Sequence, residues 1–202
     1  MIKTSLLLLW RQKSEMLTGL AFLLLAWFFI GILSIQDSFS VLQYQYIFWL
    51  VFLFSASFSS VHAFKDDFED GTLALLKTES GSVLDLFIFS RLILLLFINT
   101  LNSLVSFCCL SLFIESFLWE LALKVLLVLP GVISLFLMAQ ALCLSHKNTS
   151  QMFLLIVWPL AVPFFLFATA SSQEGSFVFL VSLSTFLSPL CFWGTRFILR
   201  FV

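Results

Sequence analysis

The chain has 202 residues, 61% of them hydrophobic and 10% charged, with a net charge of −1. A soluble domain of this length needs a polar surface that such a composition does not supply, so lipid is the solvent it is built for. The near-zero net charge also excludes a basic field of the kind that holds nucleic acid.

In hydrocarbon every backbone polar group must be bonded internally, which leaves helices and closed barrels. A barrel strand alternates apolar and polar residues over short segments. The runs here are long and unbroken instead, as from Leu17 to Ile35. The fold class is therefore all-α, a polytopic membrane protein in a single membrane domain, 1–202.

The chain opens with Lys3 and a short apolar run, Leu6 to Trp10, closed at once by Arg11 and Lys13. That run is too short for the core of a secretory signal. It predicts an N-terminal interfacial helix with Trp10 at the membrane surface. A span needs about 20 apolar residues. Six stretches qualify, at 17–35, 46–64, 88–113, 121–144, 152–171 and 176–195. Basic residues set their orientation. With the N-terminus inside, nine of the ten Lys and Arg fall on the inner side, and only Lys124 lies toward the outside. The outer connections are acidic or neutral, carrying Asp37, Glu115, Glu120 and Glu174. Both termini are expected to be cytoplasmic.

The second connection differs from everything around it. In Lys65-Asp66-Asp67-Phe68-Glu69-Asp70-Gly71, four carboxylates occupy five positions, on the inner face between spans two and three. Carboxylates this close repel one another unless water or a basic partner relieves them. Phe64, Phe68 and Leu75 recur at helical spacing, so one apolar face can lie on the membrane or a partner with acid opposite. Gly71 offers a break, and Thr72 or Thr78 a cap for the next helical turn. Three readings stay open: a solvated loop, a docking element for a cytosolic partner, or a divalent metal site. The last lacks the glycine placement and length of a calcium loop.

Other polar residues stand inside the spans. Asn99, Asn102, Ser103 and Ser106 share one face of span three by i, i+3 and i+4 spacing. Hydrogen bonding between helices explains them, and a substrate pathway is the alternative. Pro159 and Pro163 each remove a backbone donor from span five, as a static kink or a hinge. Asp85 and Arg91 are expected at the inner interface, where a long basic side chain can snorkel. The four Cys lie in apolar runs and form no C-x-x-C, so they are read as small hydrophobes in packed helices. His62 and His146 are the only imidazoles of the chain, and both fall at inner ends. No metal is assigned to any residue of the chain. The chain has no G-x-x-x-x-G-K-[ST], G-x-S-x-G, S-x-x-K or H-E-x-x-H, so no ATP-binding loop and no catalytic residue is assigned, and it is not expected to be an enzyme.

The stretch F-K-D-D-F-E-D-G-T-L-A-L-L, from Phe64 to Leu76, resembles the signature of the haem exporter protein B family of cytochrome c maturation systems. A second stretch agrees with it: Val157-Trp158-Pro159-Leu160-Ala161-Val162-Pro163, running through Phe164 into Phe167-Ala168-Thr169-Ala170. Length and span count match as well, so the resemblance covers essentially the whole chain. The N-terminal third and the last span match only in hydropathy.

That resemblance implies an ABC-2-type permease-like bundle that pairs with a separate ATP-binding subunit. It implies work with other cytochrome c maturation membrane subunits and a haem chaperone, making haem available on the outer face. Haem is then a transported or delivered species, ATP is bound by the partner, and no cofactor is resident in this chain. The acidic segment, Lys65 to Gly71, becomes the handle by which the ATPase moves the spans. Pro159, Pro163, Thr169, Asn99 and Asn102 become candidate pathway or hinge residues. An oligomer or hetero-oligomer in membrane lipid is expected, because one small bundle encloses little pathway. The compartment is a bacterial inner membrane, with the mitochondrial inner membrane as alternative. The rivals are a lipid or drug export permease sharing the same fold, and a scaffold that transports nothing.

Overall fold

The computed structural model describes residues 13–36, 39–61, 63–78, 81–114, 119–144, 149–169 and 174–201. The interfacial helix expected around Trp10, both histidines, Asp37 and Glu115 lie outside the described residues. Within them the helices are α1 (Lys13–Gln36), α2 (Val41–Ser60), α3 (Lys65–Glu69), α4 (Thr72–Thr78), α5 (Gly81–Ser111), α6 (Trp119–Cys143), α7 (Thr149–Thr169) and α8 (Glu174–Phe201). There is no strand among the described residues.

Five of these elements are long and apolar enough to cross a bilayer: α1, α2, α5, α6 and α8. The expected span at 152–171 falls on α7, whose described apolar stretch, Trp158–Thr169, is shorter. Local signals account for several boundaries. Ser40 caps α2 by accepting from the Gln43 amide while the Gln43 side chain accepts from the Ser40 amide, a reciprocal capping box. Gly71 takes φ +74° between α3 and α4, a conformation that favours glycine.

Two helices extend furthest beyond the ends that hydropathy predicts. α5 begins at Gly81 rather than 88, and α8 continues to Phe201 rather than ending near 195. At 31 residues α5 is about 46 Å long, against a hydrocarbon core of about 30 Å. The additions carry Asp85, Arg196 and Arg200, which hydropathy reads as the edge of a span. Arg196 Nε lies 2.8 Å from Asp85 Oδ1, so the two added ends hold each other and the helices continue.

The helices form two packed groups. In the first, α2 lies between α1 and α5. Its contacts pair Tyr44 with Phe113, Phe48 with Phe107 and Ser59 with Asn99, a steady antiparallel register. In the second, α6 packs against α7 and most closely against α8. Gly131 meets Ser184 and Gly194 meets Met138, so α6 and α8 run in the same direction. α2 and α6 are the most buried spans, whereas α1, α5 and α8 show large apolar side chains outward, such as Phe28, Phe29, Phe97 and Trp193. In water that surface would be an aggregation hazard. For spans in a bilayer it is surface open to lipid or to another membrane helix.

Candidate coupling site

α3 and α4 form a short bent segment against the beginning of α5. A five-residue helix cannot hold itself together, because nucleation costs more than its few bonds return. Its position depends on what anchors it. Phe64, just before α3, is fully buried and lies 6.2 Å from the Phe87 ring of α5. Asp67 is also buried and accepts from Arg91 Nη2 of α5. The Arg91 guanidinium sits over the Phe87 ring, 5.3 Å from its centre.

This arrangement corrects two expectations. The four carboxylates do not share one wet face: Asp66, Glu69 and Asp70 are exposed, but Asp67 turns inward. Arg91 does not snorkel; at 4% exposure it is internal, paired with the Asp67 carboxylate. The physical reason is proximity. A carboxylate near the start of α3 can neutralise a cation on α5 that would otherwise have to reach water. The apolar face is also divided. Phe64 enters the core, while Phe68 and Leu75 remain 40% and 70% exposed. Gly71 ends α3, so the spacing from Phe68 to Leu75 does not run along one continuous helix. The Thr78 hydroxyl turns back into α4, donating to the Leu75 carbonyl at 2.7 Å.

The outward face of the segment thus carries Asp66, Glu69 and Asp70 with Phe68 and Leu75, and Lys65 lies 3.9 Å from Glu69 at its edge. Among the described residues no three His, Cys, Asp or Glu gather as a metal-binding group. Such a face suits a protein surface with an apolar socket and a basic rim.

The other sequence candidates lie elsewhere. Asn99 and Asn102 are buried, as are Ser103 and Ser106. Asn99 Oδ1 accepts from Ser59 Oγ at 3.0 Å, and Ser106 Oγ accepts from Trp27 Nε1 at 2.8 Å. A methyl group on Gly19 would meet Ser55 O at 3.0 Å and Asn102 Nδ2 at 3.3 Å, so α1, α2 and α5 approach closely there. Asn99, Asn102 and Ser106 stand at helix–helix joints. Pro159 is exposed and Pro163 half-buried on α7, and Thr169 bonds back to the Phe165 carbonyl at 2.8 Å. The structure does not bring them together with the asparagines or with the acidic segment.

Sequence reasoning missed Pro130-Gly131 inside α6, where a methyl group on Gly131 would come within 2.9 Å of both Phe164 and Ser184. The Pro-Gly pair was a usable signal. It also missed a cavity of about 370 Å³ at the far end of α5 from Asp67, between α5 and α6, lined by Ser103, Phe107, Cys108, Trp119 and Leu126 among others. Cys108 is exposed there rather than packed like Cys143 and Cys191. Nothing periodic in the sequence marks a place where two consecutive helices splay.

A family model described as CcmB protein matches residues 1–193. Comparison with curated proteins gives no match.

Proposed function

The chain belongs to the CcmB family, the haem exporter protein B family, which is the permease component of the haem export system for cytochrome c maturation; from that premise we propose that it is the membrane subunit that an ATP-binding partner moves through the α3–α4 segment. The family works with other Ccm components in an ABC-type export system. In the proposed arrangement the chain crosses the membrane six times, with α7 as the fifth span. The first residues lie along the inner surface and both termini are inside. The distribution of Lys and Arg supports this orientation.

This chain contributes no ATP chemistry of its own. Its sequence has no phosphate-binding loop, and hydrolysis belongs to the partner. Its work is movement that makes haem available on the outer face for attachment to c-type cytochromes. The membrane is the bacterial inner membrane. A second permease chain, or a related subunit, completes the pathway.

The observation that carries this reading is the outward face of α3–α4. Three exposed carboxylates and two exposed apolar side chains stand beside the extended end of α5, where a rigid contact reaches the spans directly. Reversal of the exposed charges, D66K/E69K/D70K, tests it. The ATP-binding subunit is expected to be lost on co-purification, and covalent haem to disappear from c-type cytochromes while b-type cytochromes are spared. A retained ATP-binding subunit would sink the docking claim. Loss of the subunit with normal c-type cytochromes would favour a lipid or drug as cargo.

A further inference from the structure

Asp67 has a different chemistry from its three neighbours. It lies in the same acidic run, but it is 4% exposed and bound to an arginine of equal burial. Arg91 Nε and Nη1 are buried and have no hydrogen-bond partner among the described residues. Among the described residues the guanidinium is therefore neutralised from one side only, with the face of Phe87 on another. A buried ion pair with incomplete hydrogen bonding contributes little to stability, because apolar residues of similar volume hold a core at least as well. What a charge-assisted contact does offer is a stiff, directional link between two elements.

The elements it links are the two that matter for movement. α3 carries the outward docking face, and α5 is the longest of the described helices. On the same helix, Asp85 holds Arg196 of α8 at 2.8 Å. From there α8 lies so close to α6 that a methyl group on Gly194 would come within 2.7 Å of Met138 and one on Gly131 within 2.9 Å of Ser184. A push on α3 thus has a continuous route of ionic and close steric contacts into both helical groups.

We propose that the Asp67–Arg91 pair is a strut that transmits displacement of the docked α3–α4 segment into α5, and that Asp67 itself takes no part in holding the partner. This rests on the docking role proposed above for the exposed carboxylates. It assigns Asp67 and Arg91 as positioning residues within that site: the exposed acids grip, and the buried acid transmits.

The test uses the complete membrane complex with its ATP-binding subunit. The apolar pair D67L/R91M removes the charges while filling the volume. It is expected to retain the ATP-binding subunit and its hydrolysis, while covalent haem in c-type cytochromes falls about tenfold. A merely structural pair would leave haem delivery at the wild-type level once the volume is filled, and that result overturns the strut. Loss of the ATP-binding subunit in D67L/R91M also overturns it, since Asp67 would then belong to the docking face. Should D67L/R91M not accumulate in the membrane, R91K decides. It keeps the charge on a flexible stem, and delivery is expected to fall about threefold with the subunit retained; wild-type delivery in R91K overturns the proposal. The two ideas fail separately. D66K/E69K/D70K retaining its partner removes the docking reading, whereas either Asp67 result above removes only the strut.

Discussion

The two helical groups solve the same problem by different chemistry. In α1–α2–α5 the helices are joined by polar side chains: Ser59 to Asn99, Trp27 to Ser106, and the Ser55 hydroxyl to the Gly19 carbonyl at 3.0 Å. In α6–α7–α8 the joint is mainly steric. Gly131 admits the α8 backbone and the Phe164 ring, Gly194 admits Met138, and the Gly131 amide donates to Ser184 Oγ at 3.0 Å. Among lipid tails there is no hydrophobic drive between helices, so association must come from close packing or from interhelical hydrogen bonds. Each group relies chiefly on one. The difference teaches where each is vulnerable: a steric joint fails when atoms are added, and a polar joint fails when they are removed.

The largest effect is expected at Gly131. G131L drives a side chain into a backbone atom of α8, which cannot turn aside as a rotamer can. A loss of about 3 kcal/mol is expected, as overpacking at a site that cannot relax. It should appear as a lower melting temperature in detergent and reduced accumulation in the membrane. Near-wild-type melting would break the comparison, because the second group would then not depend on close approach.

N99A comes next. It removes the acceptor of Ser59 and the bond from Asn99 Nδ2 to the Leu95 carbonyl at 2.9 Å. A loss of about 1 kcal/mol fits interhelical hydrogen bonds in membranes. A double-mutant cycle with S59A sharpens the comparison, with a coupling energy of about 0.6 kcal/mol expected. No coupling would mean that the asparagine serves its own helix and not the joint.

The smallest stability effect belongs to the clasp between the groups. The Asp85 and Arg196 side chains are 31% and 29% exposed. Their facing atoms, Asp85 Oδ1 and Arg196 Nε, are buried but form no hydrogen bond among the described residues, so the contact is poorly directed, and R196Q should lower stability by less than about 1 kcal/mol. Its effect on covalent haem delivery is expected to exceed its effect on melting, if the clasp carries motion between the groups. Equal, small effects on both would reduce it to a surface contact.

Much of the architecture was legible. Charge spacing marked the acidic segment, and Gly71 as its break. The i, i+3 and i+4 pattern put Asn99, Asn102, Ser103 and Ser106 on a common face, which is buried. Sequence could not tell Asp67 from Asp66, Glu69 or Asp70. All four are neighbouring carboxylates, and which one points inward depends on where Arg91 lies, 24 residues beyond Asp67. Nor could it find the α6–α8 joint. Gly131 and Ser184 are separated by the whole of α7; the Pro-Gly pair marks Gly131, but nothing local marks Ser184 as what it meets.

Hydropathy alone made this a helical membrane protein, because burying backbone in hydrocarbon admits so few solutions and each span is decided by its own residues. Its acidic run alone marked the second connection as unlike everything around it. Only the tertiary structure decided which carboxylates face out and which one faces in, where α5 and α8 end, and which helices touch. Those depend on register between segments far apart in sequence, and register is set by the fit and pairing of side chains that meet only when the bundle is formed.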